Sequence, residues 1–463
     1  MSEPLLPASH DGPVIAVHAL SEAETPAWLD GQAGFVKGLA MLDEFRGRWG
    51  QVLLLPDPNG ALDRVVLGLG AGGDVGPFRA LPGKLPVGDY RLAATPAGLD
   101  ASQAALAYAL GTYRFDRYRP RGGGEARRLV APDGVDLAEV LAVSHACALA
   151  RDMVNTPAND MGPLQIETIA REIASHHGAH IAVITGDDLL DHNYPAVHAV
   201  GRAAVPARAA RMIEISWGDP AHPRLVLVGK GVVFDSGGLN LKPSAGMRQM
   251  KKDMGGAAHA LALGRMVMAA RLKVSLTLLI PVVENAIAGD AMRPGDILAT
   301  RSGLTIEVGN TDAEGRLILA DALTRAGELE PVLTLDLATL TGAARVALGP
   351  QVIPFFTPDE DLAREIEAAS RAAADPVWRL PLWEGYRESI ESDIADLRND
   401  PDAWAQAGCV TAALVLQRFA PTTGAWAHFD IFAWNPKGRP GWPTGGEAQA
   451  IRGLYAMLKA RFS

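Results

Sequence analysis

Runs of apolar, largely β-branched residues recur along the second part of this chain, and segments with helical periodicity separate several of them. Within each run the apolar residues are continuous, which is typical of strands that are covered on both faces. Strands that alternate with helices in this way predict an α/β domain whose central sheet is mixed but largely parallel. The predicted strands cover residues 181–184, 212–216, 225–228, 274–279 and 332–337, and the predicted helices cover 254–270 and 316–329.

The first part of the chain predicts a smaller α/β domain, with strands at 14–17, 51–55 and 64–69 and a helix at 101–113. Residues 119–134 contain prolines, glycines and mixed charges without an apolar period, which indicates a connector. A helix begins shortly afterwards, between residues 136 and 144. We therefore expect an N-terminal domain over residues 1–136, with the linker at its end, and a larger catalytic domain over 137–463.

Charge and composition narrow the possible partners. The 43 lysines and arginines against 53 acids give a net charge of −10, so attraction to nucleic acid is not expected. Residues 1–13 contain no basic region followed by an apolar run, and no apolar stretch is long enough for a membrane span. These features predict a cytoplasmic protein without a membrane partner. Cys147 and Cys409 have no paired spacing, so both are expected to be buried apolar residues.

Residues 68–73 satisfy G-x-G-x-x-G at the end of a predicted strand, and Asp89 lies roughly where a dinucleotide-binding acid would be. Such a site needs a helix whose N-terminus meets the pyrophosphate. Gly76, Pro77, Pro82 and Pro86 follow instead, and these residues predict that no helix forms. A glycine-rich loop is the favoured interpretation, and a nicotinamide-dependent oxidoreductase is the alternative.

The first segment with catalytic potential begins where the predicted strand 225–228 runs into GKGVVFDSGG, residues 229–238. Lys230 and Asp235 therefore lie at the carboxyl end of a strand, where ligand sites of parallel sheets gather. A glycine-rich turn with a surface lysine is the alternative interpretation of this segment alone. The sequences LKP and MKKDMGGAA then supply Lys242 and Asp253. Because Asp253 precedes a predicted helix, helix capping is its alternative role.

The second segment is NTDAEGRL, residues 310–317. Its spacing would put Asp312, Glu314 and Arg316 on one side of an extended segment, while a loop could instead bring the two carboxylates onto shared cations. Divalent metals with oxygen ligands require such a concentration of acids.

This octapeptide resembles the signature of the leucyl (cytosol) aminopeptidase family of two-metal metallopeptidases. The segments VGKGVVFDSGG, LKP and MKKDMGGAA match the same family in the same order. RDMVNTPANDMG (151–162) and DLATLTGA (336–343) do so as well, and GTYRFDRY (111–118) extends the resemblance into the first domain. The resemblance implies an aminopeptidase that hydrolyses N-terminal, preferably leucine-like residues from peptides.

The resemblance also implies the ligands of two divalent metals, with Zn or Mn expected. Lys230, Asp235, Asp253 and Glu314 would hold the tighter metal. Asp235, Asp312 and Glu314 would hold the more exchangeable one. A lysine binds a metal only when it is neutral, so the pKa of Lys230 must fall, and two adjacent cations provide the cause.

The implied chemistry uses a water that the two metals activate while they polarise the scissile carbonyl. Arg316 would hold a bicarbonate that transfers protons, because a planar guanidinium suits such an anion. Lys242 would stay charged and stabilise the developing oxyanion. The first side-chain pocket would be lined by Met250, Thr339, Leu340 and Gly342. Self-association into a homohexamer is implied by the resemblance alone.

Near the C-terminus the sequence departs from the better-known family members. Residues 434–443 form a Pro- and Trp-rich segment, WNPKGRPGWP, and this departure leaves the substrate preference open. His428 and Asp430 precede it in a predicted strand and are interpreted as a structural pair. A phosphoesterase that uses similar metals is one alternative, but this sequence has no phosphate-cradling loop beside the acidic site. A noncatalytic binding protein is another alternative, and it would be expected to have lost a metal ligand, Lys242 or Arg316.

Overall fold

The computed structural model describes residues 3–119, 126–401 and 406–463. The chain forms two compact units. One contains Met1–Ala148 together with Lys437–Thr444, and the other contains Leu149–Pro436 together with Gly445–Ser463. Each unit contains a mixed sheet with helices, so the predicted α/β class is confirmed. The boundary at residue 136 stays a prediction.

The sheet of the first unit has the strand order β1-β6-β5-β2-β4-β3, in which β3 pairs antiparallel and the other neighbours pair in parallel. Val65, Val66 and Leu67 of β4 are fully buried, as expected of a strand covered on both faces. The strands are β1 (Leu5–Leu6), β2 (Ile15–Leu20), β3 (Val52–Pro56), β4 (Leu62–Gly68), β5 (Gly88–Ala94) and β6 (Arg127–Val130), and the helices are α1 (Thr25–Asp30), α2 (Gly34–Leu42), α3 (Gly76–Ala80) and α4 (Ala101–Gly111), with a 3-10 helix at Leu81–Gly83.

Two local predictions for this unit are wrong. Arg127–Val130 forms a strand inside the predicted connector. It was not predicted because four residues with two arginines carry too little apolar pattern. Residues 120–125 of that connector lie outside the described residues. A helix does follow the glycine-rich loop, because Pro77 occupies its first turn, where the missing N–H has no partner to lose. Asp89 accepts two hydrogen bonds of 2.7 Å from Arg128, which gives this acid a structural role.

Residues 437–443 of the Pro- and Trp-rich segment are anchored within the first unit. The Arg79 Nε donates to the Gly441 carbonyl at 2.9 Å. The guanidinium carbons of Arg79 and Arg439 lie 4.5 and 4.4 Å from the ring centroid of Trp442. Stacking of cations on an indole and burial of Arg79 therefore hold residues 437–444 to this unit.

The second unit begins within α5 (Leu137–Asn155). Its strands are β7 (His180–Thr185), β8 (Arg211–Trp217), β9 (Arg224–Gly229), β10 (Gly231–Asp235), β11 (Ser275–Asn285), β12 (Ile297–Ala299), β13 (Thr305–Glu307), β14 (Leu333–Ala338), β15 (Ile353–Phe356), β16 (Val377–Arg379), β17 (Leu397–Arg398), β18 (Ala425–Asp430), β19 (Trp434–Asn435) and β20 (Gly445–Gly446). Its helices are α6 (Pro163–His177), α7 (Asp188–Asp191), α8 (Pro195–Gly201), α9 (Ser244–Met247), α10 (Gly255–Ala269), α11 (Glu314–Glu328), α12 (Gly342–Leu348), α13 (Glu360–Ala372), α14 (Gly408–Gln417) and α15 (Ile451–Phe462), with 3-10 helices at Pro206–Arg208, Met250–Lys252 and Glu384–Ile390.

The main sheet of this unit has the order β16-β15-β18-β14-β9-β11-β8-β7, and β10 pairs with the end of β11. Its centre, from β18 to β11, is parallel, and the antiparallel pairs lie towards the edges. The register aligns Leu337 of β14 with Gly229 of β9, and Ala338 with Asp430 of β18. Three neighbouring strands therefore end side by side, and the residues that follow them meet at one edge.

β9 and β14 are buried along almost their whole length, and α10 and α11 pack on this sheet. This explains why their sequences are apolar without alternation. Two smaller sheets complete the unit, with orders β12-β13-β17 and β19-β20. Among the described residues, no helix combines the length and the apolar character that a membrane crossing requires.

Candidate active site

Lys230 links β9 to β10 at the carboxyl edge of the central strands. Its backbone N–H donates to the Leu337 carbonyl at 3.0 Å, which fixes the residue against β14. Its Nζ lies 2.7 Å from Asp253 Oδ2 and 2.9 Å from Glu314 Oε1, and it donates to the Thr339 carbonyl at 3.1 Å. The Lys230 side chain is only 3% exposed. Lys230, from the segment 229–238, thus contacts Glu314, from the segment 310–317.

Gly315 makes this contact possible. A Cβ on Gly315 would lie 2.8 Å from Lys230 Cε and 2.9 Å from Leu340 Cδ1, closer than side chains pack. Only a glycine therefore lets α11 approach the lysine stem. The helix begins at Glu314, directly after the turn that contains Asp312. The extended conformation considered for this segment is wrong, because a turn at residues 311–312 is followed by α11 from Glu314.

Asp235 ends β10, and Lys242 joins it to the second segment. Lys242 Nζ lies 2.7 Å from Asp235 Oδ2 and 2.5 Å from Asp312 Oδ1. Gly237 adopts a φ of 89°, and a Cβ there would lie 2.9 Å from Asp312 Oδ1. One carboxylate oxygen from each of Asp235, Asp312 and Glu314 lies within 4.8 Å of the others, as metal ligands must.

Asp253 does not cap the helix that follows it. α10 is preceded by Met254, without a side-chain capping hydrogen bond. Asp253 Oδ1 instead accepts from the Thr339 hydroxyl at 2.8 Å, and its other oxygen faces Lys230. The capping alternative is therefore wrong, and the carboxylate is directed into the cluster.

The donor set fits divalent cations. Asp253 Oδ2, Asp312 Oδ1 and Glu314 Oε1 are buried oxygens that accept no hydrogen bond of adequate geometry, although each lies within 2.9 Å of a lysine nitrogen. Buried polar atoms without such bonds are costly. Bound cations would satisfy these oxygens, and carboxylate oxygens with one amine suit Zn or Mn.

Crowding of like charges shifts the protonation of the cluster. Burial and the neighbouring charge of Asp235 raise the pKa of Glu314 to about 8. The same causes raise the pKa of Asp312 to about 6. Burial disfavours the charge on Lys230, but the carboxylates of Asp253 and Glu314 outweigh it and raise the pKa of this lysine above its ordinary value. Without cations, Glu314 and Asp312 therefore hold their protons more tightly than isolated carboxyl groups would.

Lys242 and Arg316 flank the acids and remain cationic. Burial lowers the pKa of Lys242, but the Asp235 carboxylate outweighs it, so the net pKa is raised. Arg316 lies buried in the first turn of α11. Its Nη1 donates to the Asn399 carbonyl and lies 3.9 Å from Asp400 Oδ1.

The four predicted pocket residues lie on two segments next to these groups. Met250 belongs to the 3-10 helix immediately before Asp253. Thr339 contacts both Lys230 and Asp253, as described above, and Leu340 approaches Gly315. Gly342 begins α12, and a Cβ there would meet open space. Their contact with a substrate side chain stays a prediction.

His428 and Asp430 have separate partners. His428 Nδ1 lies 2.5 Å from Asp336 Oδ1, and that aspartate also accepts from the Trp426 indole at 2.7 Å. Asp430 accepts from the backbone N–H groups of Leu340 and Thr341 at 3.0 and 3.1 Å and from the Thr341 hydroxyl at 2.6 Å. Asp430 therefore fixes the segment that follows Thr339. This role of Asp430 was not predicted from the sequence.

Asn285 also escaped the sequence analysis. Its Nδ2 donates to Asp235 Oδ1 at 2.8 Å and to the Thr311 carbonyl at 3.1 Å, so one amide joins the two segments. The register pairs Asp235 directly with Asn285. Its position at the carboxyl end of a long apolar run was the signal that could have identified it.

Comparisons with known proteins agree with this geometry. Residues 148–455 match the catalytic domain of the cytosol aminopeptidase family, and residues 15–132 match the N-terminal domain of M17 aminopeptidases. The chain belongs to the cytosol aminopeptidase family. It is therefore a metal-dependent aminopeptidase, and the resemblance stated from the sequence is confirmed. The phosphoesterase, binding-protein and oxidoreductase alternatives are dropped.

Individual family members match this chain over 80% or more of its length. A probable cytosol aminopeptidase of Syntrophotalea carbinolica is 41% identical over 389 residues, covering 80% of this chain and 77% of that one. The crystal structure of a cytosol aminopeptidase from Coxiella burnetii aligns over 100% of both chains, with a TM-score of 0.94 and 42% identity. The bottromycin maturation enzyme BotP in complex with Mn covers 97% of this chain and 99% of its own, with a TM-score of 0.87 and 36% identity.

Proposed function

We propose that the protein removes leucine-like N-terminal residues from peptides by means of two divalent cations. The proposed ligands are Lys230, Asp235, Asp253, Asp312 and Glu314. The observation that carries this proposal is the set of buried carboxylate oxygens without adequate hydrogen bonds around Lys230. When bound, two cations supply Lewis acidity to a shared water and to the scissile carbonyl. Zn and Mn are the proposed metals, and the Mn complex of BotP supports the second.

Lys242 is proposed to stabilise negative charge on the substrate's carbonyl oxygen. Asp235 Oδ2 and Asp312 Oδ1 lie 2.7 and 2.5 Å from its Nζ, which places the ammonium at the cluster. A fixed cation in a water-poor site is effective at this task, because it needs no reorganisation when the charge develops.

Arg316 is proposed to hold a bicarbonate that carries protons. The acids of the cluster are engaged as ligands in this proposal, so proton transfer needs a further group. Arg316 uses one nitrogen for the Asn399 carbonyl, and a guanidinium has five N–H donors in a planar fork that suits a planar anion.

The free α-amine of the substrate would bind the more exchangeable metal, which selects N-terminal residues. Met250, Thr339, Leu340 and Gly342 would line the pocket for the first side chain. The flexible, apolar Met250 favours leucine-like residues. A cytoplasmic homohexamer remains part of the proposal.

The experiment measures amino-acid release from dipeptides and from N-acetylated controls, before and after chelation and after Zn or Mn is added back. We expect cleavage of free leucyl dipeptides only, its loss on chelation, and its return with metal. Lys230→Met and Lys230→Arg should weaken the tighter metal, whereas Lys273→Met, at an exposed lysine, serves as the control. Chelator-insensitive activity or equal cleavage of blocked peptides would contradict the proposal.

A further inference from the structure

Asn399 is a fully buried residue that follows β17 and contacts the turn before α11. Its Oδ1 accepts from the N–H groups of Gly309 and Asn310 at 2.9 and 3.3 Å. Its Nδ2 donates to the carbonyls of Asn310 and Ala313 at 2.7 and 3.2 Å. One side chain thus satisfies four backbone groups of the turn that contains Asp312.

The backbone of Asn399 adds a second link. Its carbonyl accepts from Arg316 Nη1, in the first turn of α11. Its own N–H donates to the Glu307 carbonyl at 3.0 Å, which continues the pairing of β17 with β13. The residue is therefore anchored to a small sheet on one side and holds both the acidic turn and the arginine on the other.

We propose that Asn399 is a positioning residue for the metal centre. It holds the turn so that Asp312 and Glu314 face the cations, and it directs the guanidinium of Arg316. This inference rests on the roles proposed above for those three residues. Groups that orient metal ligands are worth about 10- to 100-fold in metal affinity or activity.

Asparagine is specifically required by this bonding pattern. Two donated and two accepted hydrogen bonds match the capacity of a carboxamide. An aspartate of the same shape would keep the two accepted bonds but lose both donors. Its second oxygen would then face the carbonyls of Asn310 and Ala313, which pushes the turn away from Asn399.

The test compares Asn399→Asp with the wild-type enzyme in zinc affinity, in kcat and KM on a leucyl dipeptide, and in melting temperature. We expect zinc binding at the weaker site to fall about 10- to 100-fold, with kcat reduced and partly restored by excess zinc. Gln449→Glu is the matched control. Gln449 is also buried, and its amide accepts from the Ala433 N–H at 2.7 Å and donates to the Pro350 carbonyl at 2.8 Å, away from the turn, so only the melting temperature should fall.

The proposal is overturned if Asn399→Asp lowers the melting temperature while both zinc affinities and kcat stay at wild-type values. If that variant does not fold, Asn399→Ser carries the same comparison, because its hydroxyl can retain one donor and one acceptor. Asp312→Ala and Glu314→Ala distinguish a failure of the proposed function from a failure of the positioning role. Unchanged metal binding in these two variants would reject the proposed function itself. Impaired metal binding in them, together with normal metal binding in Asn399→Asp, would reject only the positioning role.

Discussion

Acidification should destabilise the protein through His259, a fully buried histidine of α10. Its Nδ1 lies 2.6 Å from the Gly255 carbonyl, and its Nε2 lies 3.0 Å from the Gln449 backbone nitrogen. The second contact requires Nε2 to accept, so the folded state requires a neutral ring with its proton on Nδ1. Protonation of Nε2 would place its N–H directly opposite the backbone N–H of Gln449, and neither group could accept. Burial accordingly lowers the pKa of His259 from 6.5 to about 4.

The sign and size of the effect follow from this difference. Between pH 6.5 and pH 4 the unfolded chain binds a proton at this histidine and the folded chain does not, so stability falls as the pH drops through this window. Each pKa unit corresponds to about 1.4 kcal/mol, so His259 should cost about 3 kcal/mol of unfolding free energy by pH 4. Above pH 6.5 it should contribute no pH dependence.

Urea unfolding of the metal-stripped protein at pH 7.5 and pH 4.5 measures this contribution, because acid also releases bound cations. His259→Gln cannot titrate. Its loss of stability between the two pH values should be smaller than that of the wild type by about 2–3 kcal/mol. His192→Gln, at an exposed histidine, should follow the wild type. If His259→Gln and the wild type lose the same free energy on acidification, the assigned protonation state is wrong.

Two further variants test the surroundings of the site. Asp430 accepts three hydrogen bonds from Leu340 and Thr341, and Asp430→Asn replaces one accepting oxygen by an NH2 donor. The proposed pocket segment then loses at least one hydrogen bond of about 1.4 kcal/mol, so KM for leucyl dipeptides should rise about tenfold. An unchanged KM in steady-state kinetics would refute this. Trp442→Ala removes the indole that Arg79 and Arg439 contact, and it should destabilise the N-terminal unit by about 1–2 kcal/mol. Limited proteolysis measures that loss, and wild-type resistance would show that the stacking contributes nothing.

The positions of Lys230 and Asp235 could be predicted because continuous apolar runs identify buried parallel strands, and the carboxyl ends of such strands meet. Asp253 was ambiguous for a local reason. An acid before a helix has the same sequence pattern whether it caps the helix or binds a metal. The structure excludes the capping role, because the register of β9 with β14 brings Thr339 and Lys230 to the carboxylate.

Asn399 could not be predicted in the same way. It lies about 90 residues from the turn that it holds, and β17 is only two residues long, so no periodicity marks it. β6 was missed for a similar reason. Short strands and buried side-chain amides depend on tertiary contacts, to which local propensity gives little guidance.

The two halves of the proposed metal centre are held by different kinds of interaction. Lys230 and Asp235 lie on strands that backbone hydrogen bonds fix along their length. Asp312 lies on a turn that the side-chain amides of Asn285 and Asn399 hold, and its own side chain is 31% exposed, against 3% for Asp253. A ligand on a side-chain-supported, solvent-accessible turn can move at less cost than one on a paired strand. Under the proposed ligand assignment, the cation bound by Asp312 is therefore the one that exchanges more readily.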